Sequence, residues 1–298
     1  MRHAYLVMAH NNKELLKVLF GILDDEDNDI YLHIDAKSSM DPEGLDKVLK
    51  YSRLHAFKRF RILWGDATQA ACQMFLLRKA AEGCYDYYHL ISGCDLPLMS
   101  AGELNRFFEK NKGKQFINFD SDGPSEHENC RYIHPMQPLL ARIPDKRSPL
   151  ASFLYHIDDV FVNRQKAKGK TTGLSRGANW ADITHDLAVD FLSHEKELLR
   201  RIRFAFSADE CILQTYCRDY AKEKWELYGT DHDYDGSNLR KVDWERSAGF
   251  SPYVWRIGDY DDLMSCGLLF ARKFDWDTDH EIILKIRETL LNRNGERK

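Results

Sequence analysis

Short apolar runs alternate with helix-forming segments through the first 118 residues, and this alternation constrains the fold more than any other feature. The apolar runs predict five strands, at residues 4–9, 30–34, 60–63, 87–91 and 115–118. Apolar positions at helical spacing predict helices around residues 15–22, 68–81 and 103–109. Strands and helices in this order form βαβ units, in which helices cover both faces of a mostly parallel sheet.

The second half of the chain predicts more helix than strand. Helices are expected at 186–204 (as one helix or a pair), 207–220, 260–263 and 279–291, and strands at 253–255 and 268–271. Ser207 and Glu210 have the spacing of a capping box at the start of a helix. No break in composition separates the halves, so we expect one α/β domain over residues 1–298.

The segment between the halves, residues 120–180, is rich in proline and glycine and predicts loops with short helices. Its part 161–180 carries five basic residues and no acidic residue. We expect a mobile loop there. It is either a solvated face, which is the commoner role of a basic run, or a cationic flap over a phosphate-bearing ligand.

Composition excludes several classes of protein. A net charge of −4 argues against a nucleic-acid binder, and no apolar stretch approaches the length of a membrane-spanning helix. The seven cysteines are irregularly spaced and the first apolar run is too short for a secretion signal, which favours a reducing cytoplasm. The chain also lacks the dinucleotide-binding, P-loop, nucleophile-elbow and zincin motifs.

Polar residues follow four of the predicted strands, namely His10, Asp35, Asp66 and Asp95. In open α/β sheets, ligands bind beyond the carboxyl ends of the strands, so these residues indicate a binding site. The alternative is that each residue caps the helix that follows. For Asp66 and Asp95 taken singly, the capping role is favoured.

A second candidate group lies in the last third of the chain. Glu210 stands at a predicted helix start, where the helix dipole stabilises a carboxylate. The cations Arg256, Arg272 and Lys273 follow predicted strands and could hold a diphosphate, with the carboxylate as a general base. Alternatively, Arg272 and Lys273 are surface residues that pair with nearby acidic residues, Asp275 and Asp277.

Eight short motifs in order give the chain a resemblance to a known family. They are AYLVMAH (4–10), LHIDAKS (32–38), WGDAT (64–68), LISGCDLPL (90–98), GANW (177–180), FSADE (206–210), NLR (238–240, with Trp244) and LFARKFD (269–275). Together they resemble the core-2/I-branching β-1,6-N-acetylglucosaminyltransferases and peptide O-xylosyltransferases. The resemblance covers nearly the whole chain.

The resemblance implies a GT-A-like, Rossmann-type fold and an inverting sugar transfer from a UDP-sugar. It makes residues 1–119 the nucleotide-binding half and residues 120–298 the acceptor-binding and catalytic half. The implied roles are general base for Glu210; UDP phosphate binding for Arg256, Arg272 and Lys273; nucleotide binding for Met8, Ala9, His10, Asp35 and Asp66; and sugar binding for Ser92, Asp95, Trp180 and Asp209. Basic side chains neutralise the leaving diphosphate, so no metal or other cofactor is expected.

Two details depart from the family pattern. Ala178 stands where many relatives have a serine, so a hydroxyl contact is lost. Asp120-Ser121-Asp122 and Asp231-His232-Asp233 spell Asp-x-Asp, which leaves a metal-dependent mechanism as the minority alternative.

The expected function is transfer of a sugar, GlcNAc above others, from UDP to a hydroxyl of a glycan or glycoconjugate. The alternatives are a UDP-xylose-dependent enzyme and a non-catalytic sugar-nucleotide- or carbohydrate-binding protein. No nucleic-acid partner is expected. We expect a cytoplasmic location, with peripheral contact at the inner face of the membrane if the acceptor is membrane-bound. The sequence gives no oligomeric state.

Overall fold

Two β-sheets organise the computed structural model, which describes residues 1–120, 123–221, 223–229, 237–247 and 251–295. The described strands are β1 (His3–Ala9), β2 (Asn28–Ile34), β3 (Arg53–Phe57), β4 (Tyr87–Ser92), β5 (Asp95–Pro97), β6 (Asp182–Thr184), β7 (Arg240–Val242) and β8 (Phe270–Arg272). The larger sheet has the order β3-β2-β1-β4-β6 and the smaller one β5-β8-β7. In the larger sheet β1 to β4 run parallel and only β6 is antiparallel. The expected mixed α/β fold with a mostly parallel sheet is therefore confirmed.

Helices cover both faces of this sheet. The described α-helices are α1 (Lys13–Leu23), α2 (Thr68–Ala81), α3 (Ala101–Lys110), α4 (Glu128–Arg131), α5 (Gln137–Leu140), α6 (Pro149–Ala167), α7 (His185–Ser193), α8 (Glu195–Ile202), α9 (Ile212–Asp219), α10 (Tyr260–Ser265) and α11 (His280–Gly295). In the described part of the chain, none of them is both long and apolar enough to cross a bilayer.

The side-chain alternation of β1 divides the core into two clusters. Tyr5 and Val7 pack with α1, α3 and α11 on one face, whereas Ala4 and Leu6 pack with α2, α7, α8 and α9 on the other. Successive side chains of a strand point to opposite faces, so a strand covered on both sides reads as a continuous apolar run. This explains why β1 has no polar alternation.

A series of buried side-chain hydrogen bonds connects the two sheets. His3 Nδ1 lies 2.9 Å from His89 Nε2, and His89 Nδ1 lies 2.8 Å from an oxygen of Asp182. Arg240 of the smaller sheet donates two hydrogen bonds, of 2.9 and 2.7 Å, to the Asp182 carboxylate. Burial lowers the pKa of His89, and it lowers the pKa of His3 to about 2, so both imidazoles are neutral. Arg240 is thereby the cation that balances Asp182 inside the protein.

Several predicted elements are confirmed. The strands at 4–9, 30–34 and 87–91 correspond to β1, β2 and β4, and the helix at 68–81 has the predicted bounds. Residues 186–204 form a pair of helices, α7 and α8. Both sheets contain strands from residues 1–119 and from residues 120–298. The assignment of separate roles to the two halves stays a prediction.

Three predicted strands are wrong. The third strand is β3, earlier in the chain than 60–63, where the backbone N–H of Phe60 instead donates to His33 Nε2 at 2.9 Å. Gln115 and Phe116 form only isolated bridges. Residues 253–255 form no strand; they are held by Trp255, whose buried indole donates to the Arg272 carbonyl at 2.8 Å. At 60–63 no residue is fully buried, and at 115–116 the pairing is limited to single bridges.

Two predictions about helices and loops are also wrong. The proposed capping box is absent, because Ser207 is left-handed (φ 55°) and its side chain makes no cap hydrogen bond. The chain forms a 3₁₀ turn at Ala208–Glu210 before α9 begins. The basic segment 161–180 is not wholly a loop, since its first residues complete α6.

Candidate active site

A pocket of about 360 Å³ opens at the carboxyl edge of the parallel strands. It lies where β1, β2 and β4 end side by side, since Ala9 pairs with Ile34 and Met8 with Ser92. Seven of the sequence-predicted site residues line it: Met8, Ala9, His10, Asp35, Ser92, Trp180 and Arg272. The other lining residues are Asn11, His33, Lys37, Ile62, Trp64, Gln69, Gly93 and Cys94.

Gly93 allows the ends of β1 and β4 to meet at the pocket floor. Its N–H donates to the Met8 carbonyl at 2.8 Å. A Cβ atom at this position would lie 2.7 Å from Cβ of Ala9, closer than side chains approach. The glycine of the SGCD motif is therefore required by packing against β1.

Arg272 is the central cation of the pocket. Its guanidinium lies 2.8 Å from the Asp95 carboxylate, also contacts the Ser92 hydroxyl, and stands 5.3 Å from the centre of the Trp180 ring. Asp95 itself is 1% exposed and accepts the Ser92 N–H at 2.8 Å. The buried Asp95 carboxylate thus holds the Arg272 guanidinium in position at the pocket. The interpretation of Asp95 as a simple helix cap is wrong. The alternative pairing of Arg272 with Asp275 or Asp277 is also wrong.

Further cations surround the mouth of the pocket. Lys37 lies 3.5 Å from Asp35, and Lys273 donates to the Ser251 hydroxyl at 3.2 Å. Burial lowers the pKa of His10, and Lys273, Lys37 and Arg272 lower it further, whereas Asp35 opposes the shift. Lys273, Lys37 and Arg272 thus place positive charge near His10, partly balanced by the Asp35 carboxylate.

Glu210 is held by two nitrogens of one arginine. Arg176 Nε and Nη2 both donate to Glu210 Oε2, the former at 2.9 Å. The remaining nitrogen, Nη1, donates to Asp120. Oε1 of Glu210 receives no hydrogen bond from the residues that the structure describes, and the side chain is 31% exposed. One carboxylate oxygen is thus fixed and the other is open to a ligand.

Asp209 lies behind the pocket wall, next to Glu210. Its side chain is buried and accepts from Gln69 Nε2 at 2.8 Å and from Asn179 Nδ2 at 2.5 Å. Burial, together with the neighbouring Glu210 charge, raises the pKa of Asp209 to about 7. Because Gln69 lines the pocket, Asp209 acts on the site through that amide rather than by direct contact.

The GANW segment connects these parts. A Cβ at Gly177 would fall 2.0 Å from the Asn118 carbonyl oxygen, so only glycine fits there. The Ala178 N–H donates to Asn118 Oδ1 at 2.9 Å, so the position occupied by serine in many relatives is fixed here through its backbone. The segment therefore leads from Arg176 beside Glu210 to Trp180 in the pocket.

Six predicted residues do not line the pocket: Glu210, Lys273, Asp95 and Asp209, described above, and Asp66 and Arg256. Asp66 precedes Ala67, the N-cap of α2, and accepts the N–H of Thr68, the first helical residue, at 2.9 Å, so its observed contact is with the helix start. Arg256 is exposed, and its positive charge contributes to the lowered pKa of Asp279. Their nucleotide and phosphate contacts stay predictions.

The Asp-x-Asp sequences are only partly described. Asp120 is paired with Arg176, while Asp122 and residues 231–233 lie outside the described residues. Across the part of the chain that the structure describes, no group of three or more His, Cys, Asp or Glu side chains is arranged to hold a metal ion.

Sequence reasoning missed four residues of the site: Lys37, Trp64, Gln69 and Arg176. Lys37 and Trp64 lie within two residues of the candidate residues Asp35 and Asp66, and Gln69 is the second residue of the helix predicted at 68–81. Arg176 was counted only as part of a basic run. Its acidic partners lie 34 and 56 residues away, so no local pattern reveals the pairing.

The fold and the pocket define an α/β protein whose cation-lined site lies where such folds bind nucleotides. The chain belongs to the core-2/I-branching enzyme family, whose family model matches residues 3–261. This is a family of glycosyltransferases, and the match confirms the resemblance seen in the sequence motifs.

Curated relatives agree with this assignment. The chain is 21% identical over 310 residues to proteins named xylosyltransferase 2 from Homo sapiens, Rattus norvegicus and Pan troglodytes. The alignments cover 95% of this chain and 33% of each relative. The chain therefore spans about a third of the length of the curated relatives it matches.

Solved structures show only distant likeness. A 4-diphosphocytidyl-2C-methyl-D-erythritol synthase is 12% identical with a TM-score of 0.32, covering 74% of this chain and 96% of that one. The mannosyltransferase Ktr4p from S. cerevisiae is 10% identical with a TM-score of 0.32, covering 72% and 66%.

Proposed function

We propose that this protein is a GT-A-like inverting glycosyltransferase that moves a sugar, GlcNAc above others, from UDP to a hydroxyl of a glycan or glycoconjugate. One observation carries the proposal: a cation-lined pocket lies at the strand ends, and its lining residue Gln69 donates to Asp209, the neighbour of a Glu210 carboxylate with one fixed and one open oxygen. Family membership supplies the reaction class.

The donor would lie along the carboxyl edge of the sheet. Met8, Ala9, His10 and Asp35 form the side proposed for the uridine, and Asp66 is a further proposed nucleotide contact. Arg272 and Lys273 are the proposed diphosphate contacts, with Arg256 as an additional one. Trp180 and Ser92 are the proposed sugar contacts, and Asp95 and Asp209 hold Arg272 and Gln69 in position behind them.

The proposed reaction is one direct displacement. The acceptor oxygen attacks the anomeric carbon while its proton passes to Glu210, and the bond from that carbon to the diphosphate oxygen breaks on the opposite side. UDP leaves with the bonding electron pair, and the configuration inverts. A positioned carboxylate typically contributes about 10²–10⁴-fold through such proton transfer, and fixed cations lower the energy of the charge that develops on UDP.

We further propose that basic side chains replace a metal ion at the diphosphate. Arg272 is anchored by Asp95 and needs no reorganisation when UDP leaves. A hard divalent ion needs several ordered oxygen ligands, and Asp120, the described acid of the first Asp-x-Asp sequence, is already paired with Arg176.

A screen of UDP-sugars, with UDP release measured in the presence and absence of EDTA, tests the proposal. UDP-GlcNAc is the expected donor, with activity that persists in EDTA. Activity with UDP-xylose alone would select the second candidate, which the xylosyltransferase 2 relatives favour. Tight UDP binding without turnover of any donor or acceptor would instead indicate a non-catalytic binding protein. Activity lost in EDTA and restored by Mn²⁺ would refute the metal-free mechanism.

A further inference from the structure

Helix α6 (Pro149–Ala167) carries an apolar stripe of six side chains, four of them exposed and two half-buried. Only three of its residues are buried: Ala151, Asp158 and Val162. On a separate face, residues at helical spacing form one continuous stripe of large apolar side chains: Leu150, Phe153, Leu154, Ile157, Val160 and Phe161. Leu150 and Phe153 are 59% and 60% exposed. Contiguous exposed apolar surface of this kind marks an interaction site.

Basic residues flank this stripe. Residues 142–170 carry seven Lys or Arg and three Asp or Glu, although the whole chain has a net charge of −4. Arg164 lies within the stripe by helical spacing, and Lys168 and Lys170 follow the helix end; none of the three forms an ion pair with another described residue.

The acidic residues of α6 lie away from the stripe. Asp158 is buried and accepts from His134 Nδ1 at 2.6 Å. Asp159 is two residues beyond Ile157, which places it on the opposite side of the helix. The face of α6 that carries the stripe therefore combines apolar and cationic groups, and the exposed carboxylate of Asp159 lies on another face.

We propose that this face of α6 binds the surface of an anionic lipid membrane. Helices of this kind lie in the plane of the interface, with the apolar stripe in the acyl boundary and the cations among the headgroups. A second copy of this chain is the less suitable occupant, because a symmetric contact would place the cations of one face against those of the other. The proposal holds whichever sugar the enzyme transfers.

Flotation of the whole protein with vesicles tests this. One set of vesicles contains phosphatidylcholine mixed with phosphatidylglycerol, and the other contains phosphatidylcholine alone. We expect binding to the mixed vesicles that weakens with added salt, and little binding to the neutral ones. The double variant Phe153→Ser, Phe161→Ser should lower the partition coefficient at least tenfold, because the buried apolar area is lost.

A charge variant and a matched control complete the design. Arg164→Gln with Lys168→Gln and Lys170→Gln should reduce binding about fivefold per charge removed. The control Val189→Ser, Leu284→Ser removes two other exposed apolar residues, from α7 and α11, and should bind as the unmodified protein does. The circular dichroism spectrum of each variant should match that of the unmodified protein, because all the changed side chains are exposed.

Three results would overturn the proposal. They are absence of binding to the mixed vesicles, equal binding to neutral vesicles, and binding that the α6 variants leave unchanged. A dimer that forms without vesicles and is lost in Phe153→Ser, Phe161→Ser would assign the stripe to a second copy instead.

Discussion

Removing the guanidinium of Arg272 should have two separable consequences, one for stability and one for UDP binding. Arg272 balances Asp95, which is 1% exposed, so Arg272→Gln leaves a buried carboxylate without its cation. Breaking a buried pair in this way costs about 3–5 kcal/mol of unfolding free energy. Changing Asp95→Asn in the same chain removes the unbalanced charge and should restore most of that stability.

UDP affinity should behave differently. A hydrogen bond to a charged group contributes about 1.5–3 kcal/mol, so losing the phosphate contact should weaken UDP about 10- to 100-fold. Uridine lacks the diphosphate and should bind both variants nearly as well as it binds the unmodified protein. The double variant should therefore regain stability without regaining UDP affinity.

Urea unfolding and calorimetric titration with UDP and uridine measure the two effects. Lys58→Gln provides a control, since it removes an exposed lysine that does not line the pocket and whose ammonium donates to the Met40 carbonyl rather than to a carboxylate. If the double variant binds UDP normally, or if uridine and UDP weaken equally, Arg272 acts only through the fold. Its assignment as a phosphate contact would then be refuted.

Three more perturbations test other parts of the structure. Glu210→Gln should retain UDP binding and lower kcat about 10²–10⁴-fold, and near-normal turnover by the folded variant would remove Glu210 from the mechanism. Arg240→Met should cost about 3–5 kcal/mol of unfolding free energy, because Asp182 is left buried without a cation; a loss below 1 kcal/mol in urea unfolding would show that Asp182 finds another partner. Asp209, with its pKa raised to about 7, binds a proton more tightly in the folded than in the unfolded chain, so its contribution to stability is complete below about pH 4 and is lost as the pH rises through 7. Asp209→Asn should remove that dependence, and unfolding curves at pH 5 and pH 8 that differ equally in both proteins would contradict the assignment.

The fold class and the position of the pocket could be predicted because both depend on local pattern. Apolar runs such as 4–9 and 87–91 indicate strands that are buried on both faces of the sheet. The polar residues that follow parallel strands lie at one edge of the sheet, because the strands all end there. His10, Asp35 and Ser92 therefore lie together as expected. The same reasoning failed at 60–63, where Arg61 is exposed and the other three residues are half-buried, because a short apolar run does not show whether a neighbouring strand pairs with it.

Partnerships between distant charges were decided only by the tertiary structure. Arg272 and Asp95 are 177 residues apart, and Arg176 and Glu210 are 34 apart. The sequence identified most of these residues as candidates, but it could not show which of them form ion pairs with each other. A charged side chain contacts whatever the packing of remote helices and strands brings within a few ångströms, and that distance depends on the whole arrangement of the core rather than on any local periodicity.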